Sequence, residues 1–181
     1  MRGHFSETKA KIFAAFAILA LVASACSPAV GDAAGASEPP RVGALAPDFT
    51  LSTLDGNAIT LSQLRGKPVV INFFASWCAP CRLEAPHLQE AYARKSKDGL
   101  VIIGINMGEG KPQAEQFVKD YGWSFDVVLD PGQKVTQKYQ LIGLPATFFV
   151  GRDGVLKSIK VGAFISVEEL MSAIDKVMQA S

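Results

Sequence analysis

The strongest constraint on this chain is a pair of cysteines, Cys78 and Cys81, that lies between an apolar run and a helical pattern. Residues 68–75 form a predominantly apolar stretch, which is typical of a buried β-strand. In residues 82–92 the apolar side chains recur at helical spacing and share one face. The sequence therefore predicts a strand, a turn, and a helix that starts at the cysteine pair.

The start of a helix favours a reactive thiol. Unpaired N–H groups and the positive end of the helix dipole stabilise an anion there, which lowers the pKa of a cysteine at that position. We therefore expect Cys78 to be the exposed nucleophile. Cys81 lies one turn further into the helix and is expected to resolve a mixed disulfide from the protected side.

Paired cysteines at this spacing also occur in structural zinc sites. Such a site needs four ligands, but the sequence has no second Cys-x-x-Cys, and His87 is the only histidine nearby. Three cysteines in 181 residues are also too few for a scaffold held together by disulfides. Redox chemistry without a bound metal is therefore the preferred interpretation of the pair.

The Trp-Cys-Ala-Pro-Cys motif at residues 77–81, placed after an apolar strand, resembles the active-site motif of the thioredoxin superfamily. A closer resemblance, to the ResA/TlpA group of extracytoplasmic thiol–disulfide oxidoreductases, is carried by residues 72–84, 106–109 and 127–130. It implies a thioredoxin-like α/β fold, a mixed sheet flanked by helices, with an N-terminal β-hairpin and a central αβ insertion. It implies no cofactor beyond a redox-active disulfide between Cys78 and Cys81.

Apolar periodicity and turn residues predict the remaining elements. A hairpin is expected over residues 46–51 and 58–61, because Asp55-Gly56-Asn57 between them is a turn signal. The strand–helix–strand order around the cysteines predicts a parallel right-handed crossover. The later elements are, in order, a strand at 100–106, a helix at 111–121, a strand at 126–129, a helix at 133–139, strands at 147–150 and 155–161, and a last helix capped by Ser166.

The resemblance assigns three residues to substrate binding. The superfamily carries a cis proline that faces the dithiol just before a strand, and Pro145 matches it. Because a proline has no N–H, the backbone of Leu144 is the part expected to pair with an extended substrate. Trp77 is expected to pack over the disulfide as an apolar lid, with simple core packing as the alternative.

A carboxylate is expected to manage the proton of the inner cysteine. Thioredoxin has a buried aspartate for this purpose where the present chain has Asn72. Glu84 lies three residues after Cys81, on the same side of the helix, and matches the ResA glutamate, so the resemblance assigns it the acid/base role. The alternatives are that Glu84 is a solvated helix carboxylate or that Glu109 takes the role.

Residues 1–25 have the layout of a secretory signal, with a basic start, an apolar stretch and small residues before Cys26. A cysteine in that position resembles a lipobox, which implies cleavage before Cys26 and lipid attachment to its sulfur. Ordinary cleavage after the small residues and an uncleaved anchor are alternatives, although residues 12–25 fall short of the about 20 residues that span a bilayer. All three alternatives place the domain outside the cytoplasm.

The part after the signal is expected to be one domain on a tether. Residues 26–41 are rich in Ala, Gly, Ser and Pro, which is typical of a flexible linker, and residues 42–181 are predicted to form the thioredoxin-like domain. A composition of 49% hydrophobic and 19% charged residues is that of a globular protein. The net charge of +1 offers no basic surface for nucleic acid.

The resemblance implies a protein of the periplasm or of the outer face of the cytoplasmic membrane that reduces disulfides in client proteins. Apocytochrome c, during cytochrome c maturation, is the leading client. Such a reductase needs electrons, so a membrane thiol-electron donor is the implied partner. Reduction is favoured over oxidation because Ala79 and Pro80, between the cysteines, place no extra cation beside the thiolate.

Two further functions are alternatives. A peroxiredoxin-type peroxidase would share the opening hairpin, but its motif resembles Pro-x-x-x-Thr-x-x-Cys, and residues 74–78 lack that proline and threonine. A copper-binding assembly chaperone for cytochrome oxidase would use the same thiols. Such proteins resemble Cys-x-x-x-Cys with a distal histidine, however, and no histidine follows His87.

Overall fold

The computed structural model describes residues 39–179. Its strands are β1 (Thr50–Thr53), β2 (Ala58–Thr60), β3 (Val69–Phe74), β4 (Val101–Met107), β5 (Asp126–Asp130), β6 (Ala146–Val150) and β7 (Leu156–Val161). Its α-helices are α1 (Ala79–Lys95), α2 (Lys111–Tyr121), α3 (Lys134–Lys138) and α4 (Val167–Gln179). Short 3₁₀ helices follow β2 and α1.

The strands form one mixed sheet in the order β2-β1-β5-β4-β3-β6-β7. Strand β4 pairs in parallel with β3 and with β5, whereas the β1–β2, β1–β5, β3–β6 and β6–β7 pairs are antiparallel. The parallel pairing predicted for the crossover through α1 and the predicted opening hairpin are therefore confirmed, and β6 and β7 form a second hairpin. The mixed sheet, the opening hairpin and the α2–β5–α3 segment together confirm the predicted thioredoxin-like class.

Strand β3 lies inside the sheet and is buried along its whole length. Because successive side chains of a strand point to opposite faces, Phe73 and Phe74 enter different clusters of the core. Phe74 packs with the apolar residues of α1, α2 and α4, while Phe73 packs with Tyr139 and Phe148. The strand is thus fixed on both faces, and its carboxyl end is a rigid support for the residues that follow.

Helix α1 packs against α4, and its buried positions include Leu88 and Ala91. Pro86 lies within α1, which continues past it to Lys95. The predicted last helix is α4, and its buried positions are Val167, Leu170, Ile174 and Val177. The Oγ of Ser166 accepts a hydrogen bond from the N–H of Glu169 at 3.2 Å, which confirms the predicted cap.

The chain enters the domain beside β7. The N–H of Gly43 donates to the carbonyl of Leu156 at 2.8 Å, and the N–H of Leu156 donates to the carbonyl of Ala44 at 2.8 Å. The signal region, Cys26 and residues 27–38 of the linker lie outside the described residues, so what the sequence predicts for them stays a prediction. Among residues 39–179, no helix combines the length and the apolar character required to cross a membrane.

Candidate active site

Cys78 and Cys81 form a disulfide at the start of α1, with an S–S distance of 2.03 Å and a Cα–Cα distance of 5.3 Å. Cys78 is the N-cap of the helix, and its Sγ accepts a hydrogen bond from the N–H of Cys81 at 3.2 Å. Pro80 stands in the first turn, where a helix leaves N–H groups unpaired and a proline is therefore tolerated. The predicted strand–turn–helix setting of the pair is confirmed.

The exposure of the two cysteines differs from the prediction. Cys78 is 3% exposed and Cys81 is 1% exposed, so the expectation that Cys78 is exposed is wrong for the disulfide form. The S–S bond and the hydrogen bond from Cys81 both turn the Cys78 side chain back onto the first turn of the helix. Trp77, the residue before Cys78, is 63% exposed. The core-packing alternative for Trp77 is therefore wrong.

Glu84 is 1% exposed, so the alternative of a solvated helix carboxylate is wrong. Its Oε1 accepts a hydrogen bond from Asn72 Nδ2 at 2.7 Å, and its Oε2 accepts one from the backbone N–H of Phe164 at 3.0 Å. Burial raises the pKa of Glu84 from 4.5 to about 7, while these two hydrogen bonds and the charge of Lys160 oppose the rise. At neutral pH the carboxyl group can therefore both accept and return a proton.

Asn72 joins the dithiol helix to two strands. It lies in β3 and is fully buried, and its Nδ2 also donates to Thr147 Oγ1 at 3.0 Å in β6. The Oδ1 of Asn72 has no hydrogen-bond partner among the described residues. A single amide group thus bridges Glu84 of α1 and Thr147 of β6, one turn of helix away from Cys81.

The predicted cis peptide is present between Leu144 and Pro145. In the β3–β6 ladder Phe73 lies opposite Ala146, so the loop before β6 meets the same edge of the sheet as the turn that leads to Cys78. Pro145 is buried, and its carbonyl accepts a hydrogen bond from the N–H of Gly162 at 2.8 Å. Within residues 39–179, the backbone N–H and carbonyl groups of Leu144 form no hydrogen bond.

Glu109, the second carboxylate candidate, is attached to the turn before the cysteines. It is half-buried and accepts hydrogen bonds from the N–H of Ser76 at 2.7 Å, from the Ser76 hydroxyl group, and from Asn106 Nδ2 at 2.8 Å. Arg82 donates to the carbonyl of Ser76 at 2.8 Å. These contacts show Glu109 as a residue that positions the Trp77–Cys78 turn. In the described part of the chain, no group of three or more His, Cys, Asp or Glu side chains is arranged to hold a metal.

Comparison with known proteins decides the family. The family model "AhpC/TSA family" matches residues 42–159. The chain is 36% identical to the thiol-disulfide oxidoreductase ResA of Geobacillus thermodenitrificans over 136 residues, which cover 75% of this chain and 78% of that protein. It is 38% identical to the ResA of Bacillus subtilis over 120 residues, which cover 66% of this chain and 67% of that protein. The chain belongs to the ResA thiol–disulfide oxidoreductases of the AhpC/TSA family.

Solved structures of disulfide oxidoreductases share the fold of this chain. A secreted Mycobacterium tuberculosis disulfide oxidoreductase homologous to Escherichia coli DsbE superposes with a TM-score of 0.66 at 28% identity, covering 71% of this chain and 95% of that one. A thioredoxin-family thiol:disulfide interchange protein from Chlorobium tepidum superposes with a TM-score of 0.68 at 24% identity, covering 78% and 99%, and shows the common fold. The ResA relatives favour a disulfide oxidoreductase over the peroxidase and copper-chaperone alternatives.

Sequence reasoning missed three residues around this ResA-type site, Phe164, Thr147 and Ile142. The partners of Glu84 and Asn72 include the backbone N–H of Phe164, which no side-chain pattern marks. Thr147 was seen only as part of the strand after Pro145. Ile142, two residues before Leu144, is 89% exposed. The only sequence signal that could have pointed to it was an apolar residue so close to Pro145.

Proposed function

We propose that this protein reduces disulfides in extracytoplasmic client proteins through the Cys78/Cys81 dithiol, with apocytochrome c as the leading client. The observation that carries the proposal is a disulfide at the start of α1 with a buried carboxylate, Glu84, one turn further along the same helix. The first position supplies a stabilised thiolate, and the second supplies a group that can take a proton. The ResA resemblance implies the client.

The reaction starts from the reduced dithiol. The Cys78 thiolate attacks one sulfur of the client disulfide, so that a Cys78–client bond forms and the client S–S bond breaks. Cys81 then attacks the Cys78 sulfur while Glu84 takes the proton of the Cys81 thiol. The intramolecular disulfide forms, and the client leaves with both sulfurs reduced. The client gains two electrons and two protons, one from Cys81 through Glu84 and one from water because Cys78 enters as a thiolate, and a membrane thiol donor restores the dithiol.

We propose that the client binds at the end of the sheet where β3 leads to the cysteines and the cis proline precedes β6. The free backbone groups of Leu144 are suited to pairing with an extended client segment, and Pro145 beside them has no N–H to compete. Trp77, next to Cys78, and Ile142, in the loop before Pro145, are exposed apolar side chains, at 63% and 89% exposure, that a client could contact. The proposed substrate-binding residues are thus Trp77, Leu144 and Pro145, with Ile142 as an addition from the structure.

The proposed location is extracytoplasmic and membrane-anchored, in the periplasm or at the outer face of the cytoplasmic membrane. It is supported by the signal layout of residues 1–25 and by the lipobox resemblance at Cys26. A structural neighbour of the same fold is described as secreted. Residues 26–41 would then act as a tether between the lipid anchor and the redox domain.

Deletion of the gene in the parent organism tests the function. The proposal predicts loss of cytochromes with covalently bound haem, recovery on addition of a thiol reductant, and complementation by the wild type but not by Cys78→Ser. Covalent cytochromes at wild-type levels in the deletion strain would contradict apocytochrome c as the client. Loss that copper restores and a thiol reductant does not would instead indicate the copper-chaperone alternative.

A further inference from the structure

The loop between β7 and α4 presents two successive backbone N–H groups to two carboxylates. The N–H of Phe164 donates to Glu84 at 3.0 Å, and the N–H of Ile165 donates to Glu169 Oε2 at 3.1 Å. The Phe164 side chain is 3% exposed and packs in the core, with its ring 6.1 Å from that of Phe149. The loop is therefore attached to Glu84 of α1 through the N–H of Phe164 and to Glu169 of α4 through the N–H of the next residue.

Lys160 fixes the second of these carboxylates. Its Nζ lies 2.6 Å from Glu169 Oε1 and 5.2 Å from the centre of the Phe164 ring, within the range of a cation–π contact. The Lys160 and Glu169 side chains are each a little over one-third exposed, so neither is fully screened by water. The pair thus braces the residue whose backbone binds Glu84.

The same two residues are the charged groups that act on Glu84 within the described part of the chain. Lys160, from β7, favours the ionised carboxylate, and Glu169, from α4, disfavours it. Strands β3 and β6 contribute only the uncharged Asn72 and Thr147 to this cluster. The cysteines, on the same helix as Glu84, are uncharged in the disulfide form.

We propose that Lys160 and Glu169 are positioning residues for thiol–disulfide exchange, because they hold Phe164 against Glu84 and their opposite charges bias its carboxyl group between proton acceptor and proton donor. This inference rests on the proposed role of Glu84 as the proton acceptor for Cys81. The cation favours the form that takes the proton of Cys81, and the anion favours the form that returns it. If Lys160 and Glu169 only held Phe164 in place, replacing either of them would not shift the protonation of Glu84 in opposite directions.

The test is whether substitutions of Lys160 and Glu169 shift the titration midpoint of Glu84 in opposite directions. In the full-length oxidised protein labelled with ¹³C-glutamate, the carboxyl signal that Glu84→Gln removes reports the titration of Glu84. Lys160→Met keeps the apolar stem over Phe164 but leaves Glu169 unneutralised, so the midpoint should rise by about half a pH unit. Glu169→Gln keeps an acceptor for Ile165 and leaves the cation, so the midpoint should fall by a similar amount. Both shifts should shrink in about 1 M salt.

Two further variants separate charge from structure. Lys160→Arg retains the cation and should retain the wild-type midpoint. Lys157→Met, on the same strand, removes a cation paired with Asp153 at 2.8 Å and should leave Glu84 unchanged. Midpoints that move in the same direction in Lys160→Met and Glu169→Gln, or that do not move, would overturn the inference and leave the proposed disulfide reductase intact.

A rate measurement connects the titration to the chemistry. The pH profile of client-disulfide reduction should move with the midpoint of Glu84, upward in Lys160→Met and downward in Glu169→Gln. If the midpoints move but the profile does not, these residues do not position the exchange reaction, and Glu84 does not carry the proton. Reduction through Cys78 would still be visible in the same assay as the absolute rate, which Cys78→Ser abolishes.

Discussion

The amide of Asn72 donates a hydrogen bond of 2.7 Å to Glu84 in the interior of the domain, where neither side chain is more than 1% exposed. When Glu84 is ionised this is a charge-assisted bond, which partly compensates for the burial of the carboxylate. Because Asn72 carries no charge, the proton site of this cluster belongs to α1, one turn after Cys81, and not to the central strand. The effect of this hydrogen bond on the pKa of Glu84 can be tested by substituting Asn72.

Replacing Asn72 by leucine should raise the pKa of Glu84, because the carboxylate loses a donor while its burial persists. Loss of this buried bond should also lower the free energy of unfolding by about 1–3 kcal/mol. Asn106→Leu is a matched control, since Asn106 is equally buried and its amide also binds a glutamate, Glu109. The control should lose stability without moving the titration of Glu84. Equal titration shifts in both variants would contradict the assignment.

Glu84 should make the stability of the oxidised protein fall between pH 4.5 and pH 7. Its folded-state pKa of about 7 lies above the ordinary value of 4.5, so in this window the unfolded chain releases a proton that the folded protein keeps. Relative to Glu84→Gln, the wild type should lose about 3 kcal/mol over this range and change no further at higher pH. Urea unfolding of both proteins from about pH 4 to about pH 8 measures the difference. A constant difference across the range would show that Glu84 titrates normally.

Glu84→Gln should also change the pH dependence of the dithiol. The glutamine is nearly isosteric and can keep a contact with Phe164, but it cannot take the proton of Cys81. Exchange should slow by about 10²-fold, the lower end of the usual acid–base contribution, and the inflection near pH 7 should vanish. Alkylation and exchange rates from about pH 5 to about pH 10 give the profile. Glu90→Gln, an exposed position on the same helix, is the control, and a profile for Glu84→Gln that superimposes on it would return the acceptor role to water or Glu109.

Cys26 is predicted to carry lipid, on the strength of the small residues that precede it. Intact-mass analysis of the membrane fraction should find a mature chain that starts at Cys26 with added acyl mass, and Cys26→Ser should release the protein from the membrane. A mature chain without acyl mass, or membrane attachment that survives Cys26→Ser, would contradict lipidation while leaving the redox domain unaffected.

Most of the fold was predictable because the elements are bounded by strong local signals. Helix α2 occupies the predicted residues, since Pro112 sets its first turn and Gly122 adopts the left-handed conformation that ends it. The parallel pairing of β3 with β4 and the antiparallel pairing of β6 with β7 followed from apolar runs joined by a helix or a turn. Such signals lie within a few residues of the element that they define.

The interior of the site was less predictable because its partners are distant in sequence. Glu84 could be chosen as the acid/base candidate from its place after Cys81. Its hydrogen bond to the backbone N–H of Phe164, 80 residues away, could not be foreseen from the sequence. Cys78 is buried while it forms a disulfide with Cys81, a closed ring that helix position alone does not describe. Contacts of this kind require the packed structure.

Cys78 is proposed to be the attacking sulfur and Cys81 the resolving one, and mixed-disulfide trapping distinguishes these two roles. Reduced Cys81→Ser and Cys78→Ser proteins would each be mixed with a disulfide-containing apocytochrome c, and the covalent products identified by mass before and after reduction. We expect Cys81→Ser to accumulate a client adduct through Cys78, because the resolving thiol is missing, and Cys78→Ser to accumulate little. Equal adducts on both variants, or an adduct only on Cys78→Ser, would contradict it.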